Sequence, residues 1–443
     1  MKSVHVFLLL TSAFSHLSMA QQIGNGNILQ PIGSLKQQVS RLNQHSISTL
    51  NTKPFSLSEL PDIADTVTEA LNTLAPELEI KALNGNVIYK DVVVEDGWRA
   101  IERQWVVFAD EDTVTALSKV GAKIVTTKPF NALGLTLLHF IAPPGLDSKA
   151  ALQKVLPKSS VNTLDRNHVF SAQAGNASEP GPSTLGATFK SAPACLKNVS
   201  IGMVDSNLDR QHQAFLQSAI VIENIVSTEV KTPVRHGTAV ASLLVGNGGP
   251  INALLPNGNL YLASVFHHQS DFAQGATTVN IIKGLNWLVS KGVNVINMSL
   301  AGPDNQILAL VMEKLLERNV IVVAAAGNEG PLAQPLYPAA YQQVVAVSAT
   351  DHKQQIYRWS NRGEYIDFSA LGVNVATAQP GNSFGLESGT SMASPVIAAT
   401  IACEVQTLPL NTDGIKQAII SKAIDLGEAG KDPVFGYGLI IPG

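Results

Sequence analysis

Four polar residues interrupt apolar segments at points where their side chains could carry out acyl transfer. Asp205 follows the apolar run 199–204, and His236 opens a segment of small residues. Asn328 ends another apolar run, and Ser391 begins the long, mostly apolar segment 391–406. Together these residue types supply a nucleophile, a general base, a carboxylate that orients the base and a donor for a developing oxyanion.

Each of these residues also has a structural interpretation. An aspartate at a strand end often starts a turn, and a single histidine at a helix start is more often structural than catalytic. Thr390 or Ser391 would cap a helix, which contributes about 1 kcal/mol. A helix start also offers N–H groups that bind an anion, so capping and oxyanion binding point to the same place. The chemical interpretation requires all four side chains to meet in one crevice.

Apolar strands alternate with helices beyond a linker at 174–193 that is rich in Gly, Pro, Ser and Ala. The near-continuous Val and Ile runs predict an α/β fold, with a largely parallel sheet and helices on both faces. Ligands in such folds bind at the carboxyl ends of the strands. The predicted strands are residues 199–204, 219–222, 260–266, 293–298, 320–325 and 344–348. The predicted helices are residues 236–245, 277–290, 305–318, 391–406 and 413–421.

A second pattern precedes the linker, between residue 99 and about residue 174. Strands are predicted at 104–108, 123–127 and 135–141, with a final short strand inside 160–169. Helices are predicted at 112–121 and 148–156. The order β-α-β-β-α-β is that of a small, ferredoxin-like α+β domain, which by itself implies no function. A further helix at 58–74 is predicted without a functional interpretation.

The N-terminus has the pattern of a secretory signal peptide. Lys2 precedes an apolar run, and Ser18-Met19-Ala20 places small residues before a cleavage point near Ala20-Gln21. No later segment reaches the ~18 apolar residues of a membrane span. The sequence therefore predicts an exported protein without a membrane anchor, located outside the cell or in the periplasm.

Composition bounds the remaining possibilities. The chain has 443 residues, 45% hydrophobic and 14% charged, with a net charge of -4, so two or three globular domains are expected. No basic stripe suggests a nucleic-acid partner. Cys195 and Cys403 are the two cysteines, and a disulfide and two buried thiols both remain open. No Cys or His spacing resembles a metal site.

The motifs resemble those of the subtilisin-like serine proteases. SGTSMASP at 388–395 is similar to that family's nucleophile motif throughout. Val204-Asp205-Ser206, His236-Gly237-Thr238 and AAGNEG at 325–330 resemble its three other blocks, in the family's order. The resemblance extends from about residue 199 to the end, where FGYG at 435–438 resembles the closing turn.

The resemblance implies a role for each polar residue. Ser391 would attack the scissile carbonyl, with His236 as general base and then acid. Asp205 would orient His236, and Asn328 would donate to the oxyanion. The substrate-binding strand would be Ser299, Leu300, Ala301 and Gly302.

The resemblance also implies a substrate class and leaves the metal question open. A strand that pairs with the substrate backbone indicates polypeptide substrates, and the absence of a nearby acidic cluster favours apolar or small side chains in the main pocket. No cofactor is implied with certainty. A structural calcium ion is left open, because many family members bind one but no acidic ligand cluster is evident.

The ferredoxin-like unit is similar to the propeptide of this family, which assists folding and inhibits the enzyme. Residues 165–169 resemble its closing strand, and self-cleavage is expected near Gln173-Ala174. The predicted layout is a signal peptide at 1–20, a leader of unknown role at 21–97, a propeptide inhibitor-like domain at 98–173 and a peptidase domain at 174–443.

The leading hypothesis is an exported serine endopeptidase made as a self-processed zymogen. One alternative is a non-catalytic binding or chaperone module on the same fold, which the complete set of four polar residues argues against. Another is an esterase or amidase that uses the same triad. The predicted substrate strand and propeptide favour polypeptides over such small substrates.

Overall fold

The computed structural model describes residues 77–108, 110–172, 192–269, 273–405 and 412–442. The predicted signal peptide at 1–20, the predicted helix at 58–74 and the cleavage point near Gln173-Ala174 lie outside the described residues. So does most of the linker at 174–193. The described elements therefore belong to the regions on either side of that linker.

Six strands and three short helices lie upstream of the linker. In chain order they are β1 (Glu77–Lys81), β2 (Val87–Val93), β3 (Arg99–Phe108), α1 (Glu111–Lys119), β4 (Lys123–Phe130), β5 (Leu135–Ile141), α2 (Lys149–Gln153), α3 (Lys158–Val161) and β6 (Asp165–Ala172). Four of the strands pair antiparallel in the spatial order β6–β3–β5–β4. This is the ferredoxin-like arrangement that the element order predicted.

The second helix of this unit differs from the single helix predicted at 148–156. Ser148 caps α2 by accepting a hydrogen bond from the Ala151 N–H, but α2 ends at Gln153 and α3 begins after Pro157. Proline has no backbone N–H and disfavours helical conformation in the residue before it. The chain therefore forms two short helices in place of one.

Two strands that the sequence analysis did not predict extend this sheet. β2 pairs with the first half of β3, where Asp91 lies opposite Ile101, and β5 pairs with the second half. The turn between β2 and β3 contains Asp96-Gly97, a dipeptide typical of hairpin turns. The Asp96 side chain accepts a hydrogen bond from the Trp98 N–H at 2.9 Å. Residues 78–93, which contain β2 and all of β1 except Glu77, are called the N-terminal hairpin below.

Strands and helices alternate downstream of the linker. The strands are β7 (Ser200–Asp205), β8 (Ala219–Asn224), β9 (Asn259–Ser264), β10 (Phe266–His268), β11 (Gln274–Thr277), β12 (Val295–Met298), β13 (Leu300–Ala301), β14 (Ile321–Ala325), β15 (Val344–Thr350), β16 (Ile366–Leu371), β17 (Val375–Gln379), β18 (Ser383–Glu387) and β19 (Leu439–Ile440). The helices are α4 (Arg235–Val245), α5 (Thr278–Ser290), α6 (Gln306–Glu317), α7 (Thr390–Glu404) and α8 (Thr412–Ile420).

Eight of these strands form a parallel sheet, as the sequence predicted, but β16 and β19 were not among the six predicted strands. Their spatial order is β19-β16-β15-β14-β12-β7-β9-β8, and each neighbouring pair is parallel. Successive side chains of a strand point to opposite faces, so Met203 and Val204 of β7 enter two different cores. One core contains α4, α7 and α8, and the other contains α5 and α6.

Helix α7 runs through the interior of the first core. Every residue from Thr390 to Cys403 is buried, so the helix has no polar face. A helix that is apolar all round belongs in a protein interior or a membrane. Here it packs against α4 and against the central strands of the sheet. The serine at its start is therefore held by a rigid, buried element.

A disulfide joins Cys195 to Cys403, with the two Cα atoms 6.0 Å apart. It connects the segment before β7 to the last turn of α7, and the sequence separation is 208 residues. Cross-linking distant parts of a chain stabilises the fold mainly by restricting the unfolded state.

Replacing both cysteines by serine is expected to lower the free energy of unfolding by about 2–5 kcal/mol. Urea unfolding followed by fluorescence measures this loss. A reductant should bring the wild-type protein to the midpoint of the double variant and leave the variant unchanged. Equal midpoints for the oxidised wild type and the variant would contradict the prediction.

Candidate active site

Asp205 and His236 form a buried pair. Asp205 ends β7 at the carboxyl edge of the parallel sheet, and His236 lies in the first turn of α4. The His236 Nδ1–H donates to Asp205 Oδ1 at 2.7 Å. The same carboxylate oxygen accepts from the Ser206 N–H at 2.6 Å. Asp205 thus fixes both the tautomer and the orientation of the imidazole.

Gly237 allows this close approach. A Cβ atom at this position would lie 2.3 Å from the Ser206 carbonyl oxygen and 2.5 Å from that of Asn207. The Gly237 N–H also donates to Ser206 Oγ at 2.7 Å. Since no side chain fits between α4 and the turn after β7, glycine is required here.

The environment of His236 favours its charged form. Burial opposes protonation and is the largest single effect, but the charge and hydrogen bond of Asp205, together with the charge of Glu387, raise the pKa of His236 above its usual value. Its Nε2 atom is buried and has no hydrogen-bond partner among the described residues. Nε2 is therefore the nitrogen able to exchange a proton with a reacting group.

Ser391 lies in the first turn of α7. The residue before the helix is Gly389, which has a φ of 142° and provides no side-chain cap. The interpretation of Thr390 or Ser391 as an ordinary N-cap residue is therefore wrong, because both lie inside the helix. Ser391 Oγ donates to the Ser299 carbonyl at 3.3 Å.

A proline inside α7 links Ser391 to Ser299 a second time. In a regular helix the Ser391 carbonyl would accept from the N–H of residue 395, but Pro395 has none. Ser299 Oγ donates to this carbonyl instead, at 3.2 Å. The nucleophile motif and the predicted substrate strand are therefore joined by two hydrogen bonds in the protein interior.

The other two serines of the motif hold neighbouring groups. Ser388 Oγ accepts from the Asn374 N–H at 2.9 Å. Ser394 Oγ donates to Asn297 Oδ1 at 2.9 Å and lies 3.0 Å from Ser299 Oγ. Both side chains have structural partners at these positions.

Asn328 provides the cap that α7 lacks locally. Its Oδ1 atom accepts from the Thr390 N–H at 2.9 Å and from Thr390 Oγ1 at 3.1 Å. Thr390 Oγ1 in turn accepts from the Gly327 N–H at 3.2 Å. Because the side-chain oxygen is directed at the helix, the orientation of the amide is fixed, and Nδ2 is its donating branch.

An extended segment of the chain itself lies in a groove beside these residues. Ser171 of β6 is opposite Gly275 of β11 on one side and Ala301 of β13 on the other, both antiparallel. Leu300 lies opposite Ala172. The predicted substrate strand therefore pairs with a polypeptide through Leu300 and Ala301.

The other end of that strand shapes the groove. Gly302 pairs with Tyr337, with a hydrogen bond of 2.9 Å from its N–H to the Tyr337 carbonyl. A Cβ atom on Gly302 would lie 2.5 Å from the Phe170 ring, which is fully buried. Gly302 thus opens the space that an aromatic side chain of the extended segment fills.

Two parts of this site were not predicted from the sequence. β11 forms the second wall of the groove, but its four residues were too short a pattern to predict a strand. Glu387 lies four residues before Ser391, and its Oε1 accepts from Arg235 Nη2 at 2.9 Å and Gln379 Nε2 at 3.1 Å. No local pattern relates a carboxylate on β18 to the imidazole on α4.

Within the described residues, no group of three or more His, Cys, Asp or Glu side chains is arranged to hold a metal ion. No helix in the described part of the chain is both long and apolar enough to cross a bilayer.

A family model described as the subtilase family matches residues 196–438. The chain belongs to the subtilase family of serine-type endopeptidases, as its motifs predicted. The match starts beside Cys195 and ends at Gly438, so it includes the whole parallel sheet except Leu439 and Ile440 of β19.

Individual relatives agree with this assignment. The minor extracellular protease Epr of Bacillus subtilis (strain 168) is 32% identical over 248 residues, which cover 55% of this chain but only 38% of that protein. Subtilisin E of Bacillus subtilis (strain 168) is 26% identical over 352 residues, covering 78% of this chain and 90% of the relative. The crystal structure of fervidolysin from Fervidobacterium pennivorans has the same fold, with a TM-score of 0.61 and 17% sequence identity. The match covers 83% of this chain and 62% of the fervidolysin chain.

Proposed function

We propose that this chain is an exported endopeptidase, made as a zymogen, that hydrolyses peptide bonds through Asp205, His236 and Ser391. The observation that carries the proposal is the position of β6 as a middle strand between β11 and β13. A groove that pairs with backbone on both sides accepts an extended polypeptide of varied sequence. This favours peptide substrates over small esters or amides.

The end of β6 supports a cleavage point just beyond it. Leu300 lies opposite Ala172, the last residue of β6. Ser391 Oγ is 3.3 Å from the carbonyl oxygen of Ser299, the residue before Leu300. We therefore propose that the bond after Gln173 is cut, at the point near Gln173-Ala174 that the sequence predicts.

The first half of the reaction forms an acyl-enzyme. His236 Nε2 takes the proton from Ser391 Oγ as this oxygen attacks the carbonyl carbon of the peptide. Asp205 stabilises the imidazolium that results. The oxyanion lies between Asn328 Nδ2 and the backbone N–H of Ser391.

Collapse of the tetrahedral intermediate completes the acyl-enzyme, and its hydrolysis is the second half of the reaction. The tetrahedral intermediate collapses, its C–N bond breaks, and the imidazolium of His236 gives its proton to the leaving amine. A water molecule then loses its proton to His236 and attacks the acyl carbon. Collapse of this second intermediate returns the proton to Ser391 Oγ and frees the carboxylic acid.

The contacts of β6 with the peptidase domain support an inhibitory propeptide. Asp165 Oδ2 accepts from the Gln306 N–H at the start of α6, at 2.7 Å. Asn167 Oδ1 accepts from the Val279 N–H in the first turn of α5, at 3.1 Å. The propeptide thus satisfies two helix starts while its end fills the groove, which couples folding of the peptidase domain to its inhibition.

Export is supported by the predicted signal peptide at 1–20 and by the disulfide, which persists only in an oxidising compartment. The name of the Epr relative describes that protein as extracellular. We place this protein outside the cytoplasm, in the periplasm or the medium.

Expression of the chain from Gln21 tests the proposal. The wild-type chain is expected to shorten, to yield a fragment that begins at Ala174, and to digest casein. The Ser391→Ala chain should keep its full length and leave casein intact. Failure of the wild type both to shorten and to digest casein would overturn the proposal in favour of a non-catalytic module.

Replacing Glu387 by glutamine is expected to shift the acidic limb of the kcat/KM profile to lower pH. Glu387 helps to raise the pKa of His236, so its loss lowers that pKa. His236 must be neutral to accept a proton, and activity is lost as the pH falls through its pKa. A lower pKa therefore preserves activity at lower pH. Profiles measured with a small peptide substrate check this shift.

Glu404→Gln serves as the control for Glu387, because it removes a carboxylate at the opposite end of α7. Its acidic limb should coincide with that of the wild type. An unchanged or raised limb for Glu387→Gln would contradict the electrostatic role of Glu387.

A further inference from the structure

We propose that the N-terminal hairpin is a second anchor of the propeptide, docked on a surface of the peptidase domain formed by Val226, Val230 and Gln269. The inhibitor-like domain that the sequence predicts spans residues 98–173, so the hairpin adds a contact from outside that domain. This inference rests on the proposed function, because the hairpin can leave the peptidase domain only after cleavage has made the propeptide a separate chain.

An apolar cluster forms the centre of the contact. Ile80 of β1 is only 1% exposed and is buried against Val226 and Val230, with Tyr89 of β2 packed beside them. Val226 and Val230 belong to the peptidase domain and lie between β8 and α4. Departure of the propeptide would expose these side chains to water, which opposes release.

Backbone hydrogen bonds fix the register of the contact. Ala82 forms an antiparallel bridge with Val230, and the Leu83 N–H donates to the Glu229 carbonyl at 2.7 Å. On the other side of residues 226–231, the Lys231 carbonyl accepts a hydrogen bond from the His268 N–H at 3.0 Å. The hairpin, residues 226–231, β10 and β11 therefore form a continuous layer that ends at the groove.

A buried carboxylate adds a polar contact. Asp91 is fully buried and accepts from Arg99 Nε at 2.9 Å and from Gln269 Nε2. A buried carboxylate is costly unless it is paired, and one of these partners belongs to the peptidase domain. Separation of the two chains would remove Gln269 from Asp91.

One neighbouring residue weakens the anchor. His267 is fully buried with Tyr89 edge-on to its ring at 5.5 Å, and neither ring nitrogen has a hydrogen-bond partner among the described residues. A buried polar group without a partner costs free energy that water would return on release. Apolar burial therefore opposes release of the hairpin, while hydration of His267 on release favours it and keeps the contact reversible.

The test uses the full chain from Gln21 and measures how fast the propeptide leaves after cleavage. Ile80→Ser and Val230→Ser remove opposite sides of the apolar cluster, and each is expected to speed release about tenfold. The double variant should be faster than either single variant by much less than the product of their effects, because the two residues share one contact. Gln269→Ala, which leaves the apolar cluster intact, should speed release by a smaller factor.

Leu83→Ser is the matched control. Leu83 lies in the same hairpin, but its side chain is 73% exposed, so release should proceed at the wild-type rate. Wild-type release rates in Ile80→Ser, Val230→Ser and Gln269→Ala would overturn the proposal. So would equal acceleration by Leu83→Ser, because the effect would then not depend on the buried contact.

A second measurement does not depend on cleavage. In the Ser391→Ala background, Ile80→Ser is expected to accelerate hydrogen exchange about tenfold at amides of residues 226–231 and of β6, relative to Leu83→Ser. Unchanged exchange would overturn the anchor even if the wild-type chain processes itself. Conversely, an uncleaved wild type with the expected exchange would contradict the proposed function and leave the anchor supported.

Discussion

Replacement of Ser391 by alanine is expected to reduce kcat for peptide hydrolysis by about 10⁶-fold. This magnitude is that of the nucleophile of subtilisin, a relative of this chain, and does not follow from the geometry of this site. The variant keeps the groove, Asn328 and the start of α7, so it should still bind peptides. Alanine also leaves the backbone of the helix intact, including the Ser391 carbonyl that accepts from Ser299. The loss should therefore appear in kcat and not in KM.

The other serines of the motif provide the controls for Ser391. Ser388→Ala removes only an acceptor for the Asn374 N–H and should keep kcat within a few-fold of wild type. Ser394→Ala breaks the buried contacts with Asn297 and Ser299, so a lower melting temperature is expected together with residual catalysis. A Ser391→Ala enzyme with more than about one-thousandth of wild-type kcat would identify another nucleophile.

Replacement of Asp205 by asparagine is expected to lower kcat about 10⁴-fold at neutral pH. The amide is close in size to the carboxylate, so the packing at the end of β7 is preserved. An asparagine that presents its amino group to His236 Nδ1 turns this nitrogen into an acceptor and places the proton on Nε2. Nε2 can then no longer accept the proton of Ser391.

Asp209→Asn controls for the loss of a negative charge near the site. Asp209 accepts hydrogen bonds from the Gln211 and Gly381 N–H groups, at 3.2 and 3.0 Å. Its replacement should keep kcat within a few-fold of wild type. Circular dichroism and thermal melting should show that Asp205→Asn remains folded. A folded Asp205→Asn enzyme within tenfold of wild-type kcat would refute the orienting role of Asp205.

The sequence was most informative where side-chain type and position were fixed by burial. Long runs of Val and Ile predicted the strands of the parallel sheet, because such strands are covered on both faces. Asp205 and Asn328 were recognisable as polar groups that follow apolar runs, and His236 as a polar group at the start of a segment of small residues. Asp205 and Asn328 lie at one edge of the sheet because parallel topology brings all carboxyl strand ends together.

The sequence was least informative where a contact joins distant segments. The second wall of the groove, β11, is too short to show a period, and Glu387 reaches His236 only through the tertiary fold. The Gly389 start of α7 was also not predictable from local capping rules, because its cap, Asn328, comes from another strand end. The disulfide between Cys195 and Cys403 was not predictable either, because the spacing of two cysteines along the chain does not give their distance in space.

The disulfide has a geometric consequence for self-cleavage. Cys403 lies at the far end of α7 from Ser391, about 18 Å away at 1.5 Å per residue. The chain between the proposed cleavage point and Cys195 has about 20 residues, a length that spans about 70 Å at full extension. This length allows the bond after Gln173 to reach Ser391 of the same molecule while Cys195 stays joined to Cys403. Cleavage should be first order, with a half-time that does not change when the protein is diluted.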